Sequence, residues 1–333
     1  MGKRRSIINT LHAMRIFDML PRKRNLTVLS YHRLGSAVLN PDFNLDPTVF
    51  GPTEEAFDEQ MRWLALNAEP VSEQDVLSAM SGTYVLPKRS VLVTFDDAYK
   101  DQFTIGLPTL LRQKIPAVFF VTPEIINKRS IGFWDRIARA IKLTLKSEIL
   151  IQDEIFSLAD KDSATKAVTN FVKYRANSNP FDLTSNIEIL CGTPPLDLSS
   201  EDAELMSWDD IKFLDQKRSS HGLSIGAHGF THRLLGTLTP SEQRWELLSA
   251  KENLEQVLGH NIHSLAYPAG SFSKDTPSIA IECGYTALFT FESGINSSVL
   301  DPSDIKRIPA GETTSIIACS ASLPWALGAS FYP

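Results

Sequence analysis

The chain has 333 residues, a length that suits one large α/β domain, or one domain carrying an insertion, and is short for three independent cores. Hydrophobic residues at 43% and charged residues at 22% exclude a disordered chain, and a net charge of −6 gives no general affinity for nucleic acid. Three widely spaced cysteines (Cys191, Cys283, Cys319) with no CxxC pair exclude a disulfide framework and favour a reducing compartment.

Met1 to Arg5 is basic, but the stretch to Leu20 is broken by His12, Arg15 and Asp18 and lacks the apolar core of an export signal. Residues 1–25 are expected to form an amphipathic segment that packs on the domain, with peripheral attachment to a membrane as its second role. The expected location is cytoplasmic, including the inner face of the membrane. Strands are predicted at Leu26–Tyr31, Ser90–Phe95, Ala117–Val121, Leu223–Ala227, Ser264–Tyr267, Tyr285–Phe289 and Ile305–Ile308. Several are apolar at successive positions, as parallel strands covered on both faces are. Helices are predicted after Thr53, Ser207 and Thr239, each an N-cap followed by acidic residues, with Pro240 at the first position of the third. The alternation implies right-handed βαβ units and an α/β fold with a parallel sheet or barrel, and about seven strands suit a closed or nearly closed β/α barrel. About residues 128–206 the alternation lapses into helical and irregular sequence, an inserted helical segment within a domain spanning 26–333. The run Thr313–Pro333 carries no charge and is interrupted by Pro324, so a buried closing helix is expected there.

The chemically able residues fall at strand ends, where the loops of parallel β/α folds build sites. The first strand ends at His32, the second at Asp96-Asp97, the fourth at His228, and the fifth at Tyr267-Pro268. Adjacent carboxylates would face opposite ways in a regular strand, so both reach one site only if the backbone turns there. Alone, Asp96-Asp97 reads equally as a solvated turn capping a helix. His228-Gly229-Phe230-Thr231-His232 places two imidazoles at i and i+4, able to face one metal or simply to sit on a surface. With Asp97 they make a set suited to Zn²⁺, Co²⁺ or Ni²⁺, with positions open for water and substrate. His32 and Trp134-Asp135 taken singly read as ordinary packing residues.

These motifs resemble the NodB-type polysaccharide deacetylases, carbohydrate esterase family four. Thr94-Phe95-Asp96-Asp97 is similar to the family's first motif and His228–His232 to its second. Ala266-Tyr267-Pro268-Ala269-Gly270-Ser271-Phe272 is similar to the third, in a variant where an aromatic replaces the usual arginine. The resemblance implies the distorted (β/α)7 barrel and hydrolysis of an N-acetyl group on an amino-sugar polysaccharide, oligosaccharide or glycan precursor. By position it implies Asp96 as general base, Asp97, His228 and His232 as ligands of one divalent metal, and an oxyanion donor near Pro268–Gly270. Ala98 stands where the family has glycine, which a turn without positive φ tolerates. Tyr267 occupies the place of the base-orienting arginine, and Arg307 can supply that charge from a later strand. Tyr267, Pro268, Arg307 and Trp134 form the expected substrate-binding set, Trp134 through sugar stacking.

No late motif supplies a general acid, and some relatives with an N-terminal Tyr-His strand use that histidine, which points to His32. Elimination points the same way. His228 and His232 are taken by metal, His12 lies in the N-terminal segment, and His221, His260 and His263 precede strands rather than end them. An acetylated amino-sugar glycan is the expected partner. Two further readings stay open: a deformylase or deacetylase of a small or lipid-linked sugar, and a non-catalytic carbohydrate-binding barrel.

Overall fold

The computed structural model describes residues 24–35, 45–46, 49–128, 131–174, 180–194 and 205–310, with a few positions between 9 and 16. Most of the expected N-terminal amphipathic segment, and the whole run Thr313–Pro333, lie outside the described residues.

Seven parallel strands form the frame: β1 (Leu26–Tyr31), β3 (Ser90–Phe95), β4 (Ala117–Val121), β7 (Leu223–Ala227), β8 (Ser264–Ala266), β9 (Ala287–Phe289) and β10 (Ile308–Pro309). Their lateral order is β10-β1-β3-β4-β7-β8-β9, with the two-residue β2 (Glu69–Pro70) added beside β3. A single parallel bridge from Phe289 to Ile305 carries β9 round to the segment leading into β10, so the curled sheet closes at one point. This is a distorted (β/α)7 barrel. The predicted strands match it closely. The sixth and seventh are shorter than expected, because Tyr285 and Thr286 form the approach to β9 and Ile305 makes only the bridge.

Strand alternation sorts the side chains into two cores. Leu26, Val28, Leu92, Val118, Phe120, Ala266, Ala287 and Phe289 fill the barrel interior. Their neighbours, among them Tyr31, Val93, Phe95, Phe119, Ala227 and Leu265, face the surrounding helices. Those helices begin where the caps predict. Thr53 caps α1 (Glu54–Asn67) by accepting from Ala56 N at 3.3 Å, and Phe57, Met61 and Leu64 are its buried face. Capping boxes open α8 (Trp208–Asp215), with Ser207 and Asp210, and α10 (Pro240–Leu258), with Thr239 and Glu242. The other helices on the barrel are α2 (Glu73–Met80), α3 (Leu107–Gln113), α4 (Pro123–Asn127), α9 (Arg218–His221) and α11 (Thr276–Glu282).

Between β4 and β7 lies the inserted segment, with α5 (Phe133–Leu143), α6 (Lys161–Tyr174) and α7 (Pro180–Cys191) around a second apolar cluster of their own. It is not purely helical. β5 (Glu148–Ile151) and β6 (Glu154–Ser157) pair as an antiparallel hairpin whose alternate residues Ile149, Ile151 and Phe156 are buried. The turn lacks the Asn-Gly signature of tight hairpins; Gln152 takes the left-handed conformation instead, at φ 52°. Among the described residues, no helix is long and apolar enough to cross a membrane.

Candidate active site

The site sits at the C-terminal mouth of the barrel. Asp96 follows β3 on the same face as Leu92 and Thr94, so alternation aims it at the barrel axis. Asp97 would point away, but the strand ends and Asp97 and Ala98 both turn left-handed, at φ 71° and 57°. That turn brings the second carboxylate back to the same cavity. The expectation that Ala98 needs no positive φ is therefore wrong: the alanine adopts the conformation that glycine takes more easily. Left-handed alanine costs on the order of 1 kcal/mol, and the surrounding packing holds it, since Ala98 is buried. His232 (φ 63°) and Ala269 (φ 49°) share the conformation, so four strained residues ring one site.

The two carboxylates have different partners. Asp96 Oδ1 accepts from Arg307 Nη1 at 2.7 Å, and Arg307 Nε donates to Thr290 O at 2.9 Å. Arg307 is fully buried, its guanidinium 5.5 Å from the rings of Phe120 and Phe291. Burial by itself would raise the Asp96 pKa, but the charge of Arg307, aided by His228 and His32, overrides it and holds the carboxyl below its usual range. Asp97 Oδ1 instead lies 3.2 Å from His232 Nε2 and 3.6 Å from His228 Nε2. Burial again opposes ionisation, and the two imidazoles, His232 foremost, pull its pKa down.

His228 Nδ1 lies 2.8 Å from the carbonyl of Ala266, which can only accept, so Nδ1 carries the hydrogen and the Nε2 lone pair faces the cluster. Burial pushes the His228 pKa down to about 4, against the pull of Asp96. One ligand atom each from Asp97, His228 and His232 lie within 4.8 Å of one another. Asp97 Oδ1 has no hydrogen-bond partner among the described residues. A buried, unsatisfied carboxylate oxygen between two imidazole nitrogens fits a divalent cation, and the cluster can hold one.

Glu246, fully buried on α10, fixes the histidine loop. Its carboxylate accepts from Phe230 N and Thr231 N, both at 2.9 Å, and from the Thr231 hydroxyl. Sequence reading missed it, although a signal was present: Gln243, Glu246, Leu247, Ala250 and Leu254 form the helix's buried stripe, and an acid there needs internal partners. Gly229 (φ 69°) completes the loop, because a Cβ there would lie 3.1 Å from Pro268 Cγ.

A cavity of about 230 Å³ opens over these groups, lined by His32, Asp96, Asp97, His228, His232 and Ala269, with Phe291 and Val49 on its rim. Trp134, Lys173 and Tyr174 of the inserted segment close its other side. His32 Nε2 stands 3.8 Å from Asp96 Oδ2, its side chain 28% exposed. His260 and His263 lie at the opposite, N-terminal end of the strands, and His221 ends α9 just before β7.

Two expected substrate residues are placed elsewhere. Tyr267 is fully buried: Ala266 faces the barrel interior, so alternation turns Tyr267 outward onto the helix-side core, where its ring stacks on Phe272. Arg307 stands beside Asp96, where the sequence reading had it supply the charge that Tyr267 lacks, and being buried it offers no surface to substrate. Trp134 lines the cavity but is 3% exposed; its indole donates to Tyr99 Oη at 2.7 Å and its ring packs 4.6 Å from that of His232. It is a wall of the histidine site, with little face free for stacking. Pro268 is buried beneath the cavity floor, and Gly270 N donates to Tyr267 O, so Ala269 has the remaining N–H of that turn.

Comparison with known proteins agrees with this architecture. The family model for polysaccharide deacetylases matches residues 84–149 and 207–288. The poly-beta-1,6-N-acetyl-D-glucosamine N-deacetylase of Escherichia coli (strain K12) is 25% identical over 257 residues, 74% of this chain and 32% of that protein. The chain thus spans less than a third of the length of the first curated relatives it matches. Among solved structures, the Streptococcus pyogenes deacetylase PplD in complex with acetate is similar in fold, with a TM-score of 0.58 and 18% identity over 87% of this chain and 95% of that one. IcaB from Ammonifex degensii is similar at a TM-score of 0.56 and 18% identity, over 90% of this chain and 98% of that one. The first matched segment contains Asp96-Asp97 and the second contains His228 and His232, and with both meeting at one barrel mouth, this chain carries a polysaccharide deacetylase domain of the NodB type, carbohydrate esterase family four.

Proposed function

We propose that the chain hydrolyses the N-acetyl amide of an amino-sugar unit in a polysaccharide or oligosaccharide, using one divalent metal held by Asp97, His228 and His232. Zinc is the ion this donor set suits best. One observation carries the reading: two neighbouring carboxylates are differently partnered, Asp96 on a buried arginine and Asp97 between two imidazoles. Such a pair divides proton transfer from cation binding.

When bound, the metal supplies the positive charge that activates water and polarises the amide oxygen. Asp96, anionic and oriented by Arg307, accepts the proton of the water as its oxygen bonds to the acyl carbon. His32, on the cavity wall beside Asp96, gives a proton to the sugar nitrogen as the C–N bond breaks, leaving acetate and a free amine. The Ala269 N–H is the main-chain donor for the oxyanion. The name of the Escherichia coli relative supports an acetylated glucosamine polymer as substrate.

The test is acetate release from acetylated glucosamine oligomers by the purified protein, alongside elemental analysis. Activity should vanish on chelation and return with added metal. Protein that holds one metal per chain yet releases no acetate from any acetylated amino-sugar oligomer would overturn the proposal.

A further inference from the structure

One charged group in the cavity has no place in that chemistry. Lys173 lies near the end of α6, in the part of the inserted segment that falls between the two family-matched stretches. It lines the same cavity as Asp96, Asp97, His228 and His232. Among the described residues it forms no ion pair; its ammonium lies 5.7 Å from the ring of Trp134 and 6.0 Å from that of Phe133.

Asp46, Asp97 and Asp135 attract the ammonium from a distance, but among the described residues none forms an ion pair with it. Asp135 accepts from Asp46 N at 2.9 Å and from Tyr99 Oη at 3.3 Å, and Asp97 faces the two imidazoles. The other cations close by, Arg33 beside Asp101 and Arg307 on Asp96 and Thr290, do not line the cavity. A partly buried ammonium over aromatic faces is stabilised only in part, and a carboxylate at hydrogen-bond distance would complete it. A sugar hydroxyl would satisfy one N–H but bring no opposite charge to the ammonium. About 230 Å³ holds an acyl group and part of one sugar ring, so the reacting unit and its released acetate are the ligands that this cavity suits.

We propose that Lys173 is a carboxylate-binding residue of the cavity, its partner being either a carboxylate carried by the acetylated sugar or the acetate that hydrolysis releases. The inference rests on the deacetylase reading above. Its experiment compares the metal-loaded full chain with Lys173→Gln, which removes the charge, and Lys173→Arg, which keeps it. KM and kcat are measured on a neutral acetylated glucosamine oligomer and on one whose acetylated unit bears a lactyl or uronyl carboxylate. Acetate inhibition is measured in parallel.

If the sugar carries the partner, Lys173→Gln raises KM for the carboxylated oligomer by about tenfold more than for the neutral one, and Lys173→Arg largely restores it. If the partner is acetate, the inhibition constant rises by about the same factor and both KM values stay. Equal effects on every ligand, or none, overturn the proposal. Should the wild type release no acetate at all, the deacetylase reading fails by itself. Calorimetric titration of acetate and of both oligomers into wild type and Lys173→Gln then decides the lysine's role without turnover.

Discussion

Asp96 and Asp97 are adjacent in sequence and chemically opposite in place. Replacing His228 and His232 together by alanine should abolish metal binding, read by elemental analysis, because one carboxylate cannot hold the ion alone. Asp96→Asn should keep its metal and lose about 10²–10⁴-fold in turnover, the usual contribution of a general base; loss of metal instead would exchange the two roles. Arg307 tests the base from a distance. Its charge holds the Asp96 pKa down, so Arg307→Met should raise that pKa and protonate the base over a wider acidic range. The acid limb of the kcat/KM profile should therefore move to higher pH, and an unmoved limb would show that Arg307 does not tune the base. His32→Gln should retain metal, lose rate steeply and lose the alkaline limb, since a general acid must be protonated to act. The pair Asp96-Asp97 was visible in the sequence as chemistry; which of the two faces the cation depended on a left-handed turn that the presence of Ala98 rather than glycine disguised.

At the scale of elements, the loop His228–His232 depends on a helix that contributes no atom to the cation cluster. Glu246 on α10 satisfies two main-chain N–H groups and one hydroxyl of that loop. Glu246→Ala should weaken metal affinity by about 10–100-fold, as loss of a residue supporting metal ligands does, measured by calorimetric titration of zinc into the apoprotein. Unchanged affinity would mean that the loop keeps its shape unaided. Strands and helix starts were legible because their signals are local: apolar runs for β1, β3, β4 and β7, and Thr or Ser caps for α1, α8 and α10. The hairpin of β5 and β6 escaped because it is short and its turn residues, Gln152 and Asp153, are not the usual hairpin pair.

For the whole molecule, the inserted segment and the barrel share a buried ionic network below the cavity. Asp135 of α5, and Asp101 just after the Asp96-Asp97 turn, are both pushed up to about 6 by burial, with Arg33 opposing. Their ordinary value is 3.8, so the folded protein holds these protons more tightly than the unfolded chain. The resulting stability is full below the unfolded value and is lost as pH rises through about 6. Asp135→Asn cannot ionise. Its Tm relative to wild type should therefore climb by a few degrees between pH 4 and pH 7, on the order expected for 1–2 kcal/mol in a chain of this size. A constant difference across that range would mean Asp135 does not titrate in the folded state.

The strands, their parallel alternation and the strand-end candidates were readable from the sequence, because periodicity, caps and strand-end chemistry are properties of contiguous residues, and the motif resemblance joined Asp96, Asp97, His228 and His232 into one set. Tertiary structure decided how distant groups complete the site. Arg307 reaches Asp96 across 211 positions of sequence, since β10 pairs beside β1, and β1 beside β3. Tyr267, adjacent to the site in sequence, faces the helices instead, because β8 places Ala266 on the inner face and period-two alternation sends its neighbour outward. Lys173 enters the cavity because α6 packs on α5 and α7 of the inserted segment and only its end meets the barrel mouth. Proximity of that kind is set by how strands and helices close on one another, which no local pattern of residues records.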